Sequence, residues 1–279
     1  MATTMTAPRQ NVSIEPTVTL ITVTPDLALN WLEHTNSNNR RVKETYANRL
    51  ARDMRNGDWV LTHEGIGFDT DGVLIDGQHR LWAVVYAGIP VQMHIWRNVT
   101  KEALMAIGCG KSRSVGDILT INGAHGKIGR DEISVLRSML GGLAGTASLT
   151  LTASEAAEAL DRHRGAIGFA ISAVPRVKRI TTADTRGVVA RAYYSVDHEQ
   201  LRIFGRMLAE GVVPEPGFVA VVLLRQFLAD ACSTGNTARI ERYAKTERAL
   251  VAFLARERFR KLFAASKEHF PLPEELVSR

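Results

Sequence analysis

A chain of 279 residues with 45% hydrophobic and 23% charged side chains is long enough for one large domain or two ordinary ones, and too apolar to remain disordered. No apolar run approaches the ~18–20 residues of a membrane span, and two cysteines, Cys109 and Cys232, give neither a disulfide framework nor metal-ligand spacing. The net charge of +6 is a mild bias toward anionic partners, and the surplus is C-terminal: residues 1–129 hold 13 Lys and Arg against 12 Asp and Glu, residues 130–279 hold 22 against 17.

Residues 1–16 read as a short flexible tail with no apolar stretch typical of a signal peptide, which makes a cytoplasmic address the default. Thr17 to Thr24 is β-branched and alternating, which predicts a strand. Pro25-Asp26 precedes a short amphipathic segment over Leu27 to Leu32. A polar stretch from Asn36 to Asn39 leads through Arg40-Arg41 into a helix. There Val42, Tyr46, Leu50 and Met54 recur every four residues beside Ala47 and Ala51, and predict one core-facing stripe. Asn56-Gly57-Asp58 stops that helix.

Gly67-Phe68-Asp69 and Val73-Leu74-Ile75 flank Asp71-Gly72, a hairpin signal. A helix from His79 to Tyr86 ends at Gly88. Val91, Met93 and Ile95 then alternate with Gln92, His94 and Trp96 as in a half-buried strand. Thr100-Lys101-Glu102 opens a further helix, interrupted by Gly108-Cys109-Gly110.

Beyond a glycine-rich joint at Gly123 to Gly129 the strand signals fade. Ile133, Leu136, Leu140 and Leu143 keep helical spacing, and Thr152 with Glu155 makes a capping box worth about 1 kcal/mol. Further helices are predicted at 185–196, 198–210, 218–232 and 237–265, with Pro214-Glu215-Pro216 separating two of them. Residues 239–261 carry eight basic side chains against three acidic ones, with Ile240, Tyr243, Leu250, Phe253, Leu254 and Phe259 on the expected buried side. Arg162, Arg164, Arg176, Lys178 and Arg179 make a second basic cluster. Either set reads as a solvated helix face or as a surface for phosphate backbones, and no helix-turn-helix stands out.

The segment Ile75-Asp76-Gly77-Gln78-His79-Arg80-Leu81 concentrates the chemistry. A strand ends, a glycine permits a tight turn, and the first turn of a helix offers unpaired N–H groups at the positive end of its dipole, a place for phosphate. Arg80 adds a permanently charged fork and His79 a titratable donor. A plain strand-turn-helix junction with a salt-bridged Arg80 and a packed His79 fits the same spacing. The other histidines are scattered singly, and there is no Walker A loop, HExxH or nucleophile elbow.

From Val42 to Leu119 the chain resembles the ParB/sulfiredoxin superfamily, above all its DGQHR-type members of phages and DNA-modification operons. The cues run in order: Asn39-Arg40-Arg41 before the helix, Gly57-Asp58-Trp59 at its end, Ile66-Gly67-Phe68-Asp69, the signature Leu74 to Leu81, and Lys111-Ser112-Arg113 ahead of Asp117-Ile118-Leu119. The resemblance implies an α+β chain: a ParB/sulfiredoxin-like nucleotide-binding domain over 17–122, followed by an all-helical domain over 130–279. It implies a nucleoside triphosphate, ATP or CTP, with Mg2+, held through Asp76, Gly77, Gln78, His79, Arg80, Lys111 and Arg113.

Two departures and one nearer likeness shape the expectation. Sulfiredoxins carry a reactive cysteine before the His-Arg pair, where Gln78 stands here, so the resemblance does not extend to sulfinic-acid repair. Centromere-binding ParB proteins hold cytidine triphosphate with a Gly-Glu-Arg-Arg box, whose acidic and first basic members are replaced by Gln78 and His79, which leaves the base open. Free serine kinases of the superfamily have an Asp-Gly-x-His-Arg segment and a loop glutamate acting as base, and Glu64 stands in a comparable place.

Phosphoryl transfer then gives each of these residues a role. Arg80, Arg113 and Lys111 neutralise phosphate, His79 donates to an oxygen, Glu64 accepts a proton and Asp76 holds magnesium. Bland alternatives exist: a solvated Glu64, Asp76 as a helix cap, Lys111 as a surface lysine. Two functions follow, a phosphotransferase, NTPase or nuclease in DNA metabolism, or a non-catalytic nucleotide-gated DNA-binding or regulatory protein. The expected partners are the nucleotide, DNA through the basic helical half and a second copy in a homodimer, with no membrane.

Overall fold

The β-branched alternation after residue 16 becomes β1 (Thr17–Val23), and Thr24 caps the helix that follows, α1 (Pro25–His34), by accepting from the amide of Leu27. The structure is a computed structural model that describes residues 15–37, 39–100, 103, 107, 113–122, 128–146, 149–212, 218–231, 233–258 and 260–274. Most of the expected tail, most of the helix opened by Thr100-Lys101-Glu102 including Cys109 and Lys111, most of the glycine-rich joint, Pro214-Glu215-Pro216, Cys232 and Phe259 lie outside the described residues.

The chain divides into two units, Met1–Ser112 and Arg113–Arg279. In the first, α2 (Glu44–Asn56) ends at Gly57, β2 (Ile66–Asp69) and β3 (Leu74–Asp76) form the hairpin, and α3 (Gln78–Ala87) leads to β4 (Val91–Val99). The hairpin turn is tied by Asp69, whose carboxylate accepts from the amides of Asp71 and Val73 at 2.9 and 2.8 Å. The sheet order is β1-β4-β2-β3: β1 and β3 run antiparallel to their neighbours, while β2 and β4 are parallel, with Ile66 opposite Ile95. Ile66, Phe68, Leu74, Met93 and Ile95 join Leu81 and Val84 of α3 in one core, where Trp31 meets Phe68 edge-on at 5.1 Å.

The stripe on α2 is turned relative to the four-residue repeat. Ala47, Ala51 and Met54 are buried, Leu50 is half-buried, and Tyr46 remains 42% exposed, while Val42 precedes the helix. Small alanines let α2 lie close to α3, whereas a tyrosine at that interface would hold the helices apart.

The second unit is helical: α4 (Val115–Asn122), α5 (Arg130–Gly141), a 3-10 turn (Gly142–Ala144), α6 (Ala153–Ala173), α7 (Ala183–Ala192), α8 (His198–Glu210), α9 (Val219–Asp230) and α10 (Asn236–Leu254). Thr152 and Glu155 form the expected capping box at α6. The division falls after Ser112 and not in the glycine-rich joint: Leu119 of α4 is buried in the core shared with Leu136, Leu160 and Val189, so the expected 17–122 domain is shorter at its C-terminal end.

α10 is shorter than the expected 237–265. After Leu254 the chain turns with Arg256 at φ +53°, and Ala265 comes back to donate to the Ala244 carbonyl at 3.0 Å. Tyr243, Leu250 and Phe253 are buried as expected, Ile240 and Leu254 only half so. No described helix is long and apolar enough to cross a membrane.

Candidate functional site

The DGQHR segment sits where β3 hands over to α3. Gly77 takes φ +96° as the residue before the helix, and a Cβ there would stand 2.5 Å from the Cδ1 of Ile66 and 3.1 Å from its Cα. Only glycine fits that turn. Gly65, on the loop before β2, is equally constrained, since a Cβ would meet the His94 carbonyl oxygen at 2.0 Å. The α3 N-terminus has no side-chain cap, so its first amides and the positive dipole end are left for other acceptors.

Arg80 is mostly buried, its side chain 17% exposed, and held on three sides. Its Nη2 donates to Glu64 Oε2, its Nη1 donates to the Gly65 carbonyl at 3.1 Å, and Asp76 Oδ2 lies 3.7 Å from Nη1. The structure thus brings Glu64, Asp76 and Arg80 together, but with the fork closed on carboxylates, as in the salt-bridged junction that the spacing also allowed.

His79 points to a different group of residues. Its Nε2 accepts from the Lys43 amide at 3.1 Å, and its ring meets the Tyr46 ring edge-on at 5.3 Å. Burial, then the charges of Arg40, Lys43 and Arg80, hold its pKa below the usual histidine value, with Asp76 opposing. In its neutral form the ring accepts from the Lys43 amide and helps to position the start of α2. Gln78 is 5% exposed and donates to the Arg40 carbonyl at 2.8 Å, while Asn39 donates to Leu74 O at 2.7 Å. Between them these contacts pin the basic lead-in of α2 to β3 and to the start of α3.

The site therefore has two lobes. One carries Arg40 and Lys43 beside His79, with Arg49 4.8 Å over the Tyr46 ring. The other carries two carboxylates around one guanidinium. The sequence spacing missed Tyr46 as a member of this site because its four-residue repeat suggested burial. Lys111 lies outside the described residues, and Arg113 belongs to the helical unit. Among the described residues no group of three His, Cys, Asp or Glu side chains is placed to hold a metal ion.

The helical unit holds a second polar cluster that periodicity concealed. Glu247 is 0% exposed on α10 and accepts from the amide of His269. Glu268 accepts from Tyr243 Oη at 3.0 Å and from the Leu143 amide at 3.3 Å, and lies 3.5 Å from Arg191 Nε. Burial, together with a hydrogen bond to Glu268 and its charge, pushes the Glu247 carboxyl up to about 8, against the His269 amide and Arg191. His163, also buried, lies between Tyr194 Oη at 2.8 Å and Glu274 Oε1 at 3.0 Å.

Much of the basic surplus is spent within the fold. Arg242 pairs with Asp184 at 2.9 Å, Arg248 with Glu257 at 2.8 Å, and Lys245 with Glu241 at 2.8 Å. Arg256 stacks over Phe218 at 4.3 Å. Of the second basic cluster, Arg162 and Arg164 pair with Glu158 and Asp161 on their own helix. No protein-family model matches the chain, and no curated protein or solved structure matches it either.

Proposed function

We propose that this chain is a ParB/sulfiredoxin-like protein that binds the phosphates of a nucleoside triphosphate, ATP or CTP, with Mg2+ at Asp76 to Arg80. The observation that carries the reading is the division of charge about the start of α3. Arg40 and Lys43 lie on the His79 side, and Glu64 and Asp76 on the Arg80 side. Magnesium is commonly held by one or two carboxylates together with the phosphates of its substrate. The carboxylate of Asp76 suits the cation, and the basic lobe with the uncapped α3 amides suits the phosphates.

In this reading the chain is a phosphotransferase, NTPase or nuclease of DNA metabolism, and Glu64, 63% exposed, receives the proton of the attacking hydroxyl or water. One observation favours the non-catalytic alternative, a nucleotide-gated DNA-binding or regulatory protein: Glu64 is already engaged by Arg80. DNA contact through the helical half belongs to both readings. The deciding experiment follows nucleotide turnover and nucleotide affinity in the same Glu64→Gln protein. Lost turnover with retained affinity supports the enzyme. Absent turnover in the unaltered chain, with nucleotide changing DNA affinity, supports the regulator.

A further inference from the structure

The basic loop between α6 and α7 borders a cavity of the helical unit. The cavity measures about 100 Å3 and is walled by Asp131 and Ser134 of α5, Arg176 and Thr181 of the loop, and Ala183 and Arg186 of α7. A water claims about 30 Å3 of liquid, so this space suits a few waters or one small oxyanion and excludes a nucleoside.

Arg186 fixes the chemistry. It is 5% exposed, its Nε donates to the Val174 carbonyl at 3.1 Å, and its Nη1 donates to Asp131 Oδ2 at 2.9 Å. Its Nη2 makes no bond to another described residue and keeps contact with solvent, which leaves one edge of the guanidinium fork open. Arg176 and Ser134 are exposed on the rim and likewise unengaged among the described residues. Thr181 is already used, since its hydroxyl accepts from the Val177 amide at 2.6 Å and locks the loop. Ala183 is the first residue of α7, and Thr182 caps only the Thr185 amide, so first-turn donors and the positive dipole end lie at the cavity wall.

The opposing charge is Asp131, and it is matched by Arg186. Arg176 is then in excess on the lining, with Lys178 and Arg179 exposed on the same loop. An arginine fork, a hydroxyl and helix N-terminal amides are the donors that a tetrahedral phosphate takes, whereas a cation would face two guanidinium groups. We infer that this cavity of the helical unit is a phosphate-binding site, with Arg176, Ser134 and Arg186 as donors. The site is independent of the DGQHR segment, which belongs to the other unit.

The phosphate has two sources, a free phosphate or phosphomonoester and the backbone of a nucleic acid. The test follows the 15N-labelled full chain by NMR during titration with inorganic phosphate, and separately with a short DNA duplex, against chloride at matched ionic strength. Saturable shifts at the Ala183 and Asp184 amides are expected with phosphate. Arg176→Ala should weaken them by about tenfold, as for the loss of one charge-assisted hydrogen bond. Ser134→Ala should weaken them by a smaller factor, and both changes lie on the surface. The same shifts with DNA assign a nucleic-acid backbone, and shifts with phosphate alone assign a free phosphate. No saturable shift beyond chloride with either probe, or affinity unchanged in Arg176→Ala, overturns the inference.

Discussion

The guanidinium of Arg80 closes on the carboxylate of Glu64, and the same side chain donates to the carbonyl of the neighbouring Gly65 at 3.1 Å. The ion pair joins the first turn of α3 to the loop before β2 and governs how both residues meet a ligand. An incoming phosphate competes with Glu64 for Arg80, whereas an incoming magnesium ion competes with Arg80 for Asp76. Glu64→Gln removes the first competition and the proton acceptor together. Retained or tighter nucleotide binding with lost turnover is expected, read by calorimetric titration and phosphate release.

Gly77 tests whether the junction tolerates a side chain. Gly77→Ala forces an L-residue to φ +96° and drives a methyl group into Ile66. A loss of about 1–3 kcal/mol is expected from the backbone strain alone, measured by urea unfolding, with nucleotide binding reduced in the protein that still folds.

His79 provides a titration on the basic lobe. Its folded pKa is depressed below the ordinary value, so the unfolded chain takes up the proton first. Its contribution to stability is present above pH ~6.5 and is lost as pH falls toward the folded value. Protonation also ends its role as acceptor from the Lys43 amide. Arg40→Ala should move the His79 titration, followed by its ring NMR signals, back toward the ordinary value. An unmoved curve would show that Arg40 does not act on the ring.

Glu247 gives the opposite slope. Its carboxyl is raised to about 8 in the folded chain, so the native state binds a proton that the unfolded state has already released above its ordinary value. Stability is fully present below the unfolded pKa and falls as pH rises through the window up to about 8. The slope approaches about 1.4 kcal/mol per pH unit. Glu247→Gln should flatten that dependence in urea titrations at about pH 5, 6.5 and 8.

What could be read from the sequence was local. Asp71-Gly72 between apolar runs, Gly57 and Gly88 after helices, and Thr152 three residues before Glu155 each act over a few positions, and each reappears in the structure. The nearness of Glu64, Asp76 and Arg80 was also legible, although not that the fork would be closed on acids. Burial decided by distant partners was not. Tyr46 has the spacing of a core residue but faces His79, and Glu247 looks like a solvated acid within a basic helix until the chain folds back and brings Glu268 and His269 to it. The end of α10 depended on that same return.

Phosphate binding at the start of α3 is tested most directly by calorimetric titration of the full chain with ATP, CTP, GTP and UTP in Mg2+. Saturable binding of a nucleoside triphosphate is predicted, weakened at least about tenfold in the double variant Arg40→Ala, Lys43→Ala, whose side chains lie on the surface. Absence of binding by all four nucleotides, or equal affinity in the double variant, would contradict it.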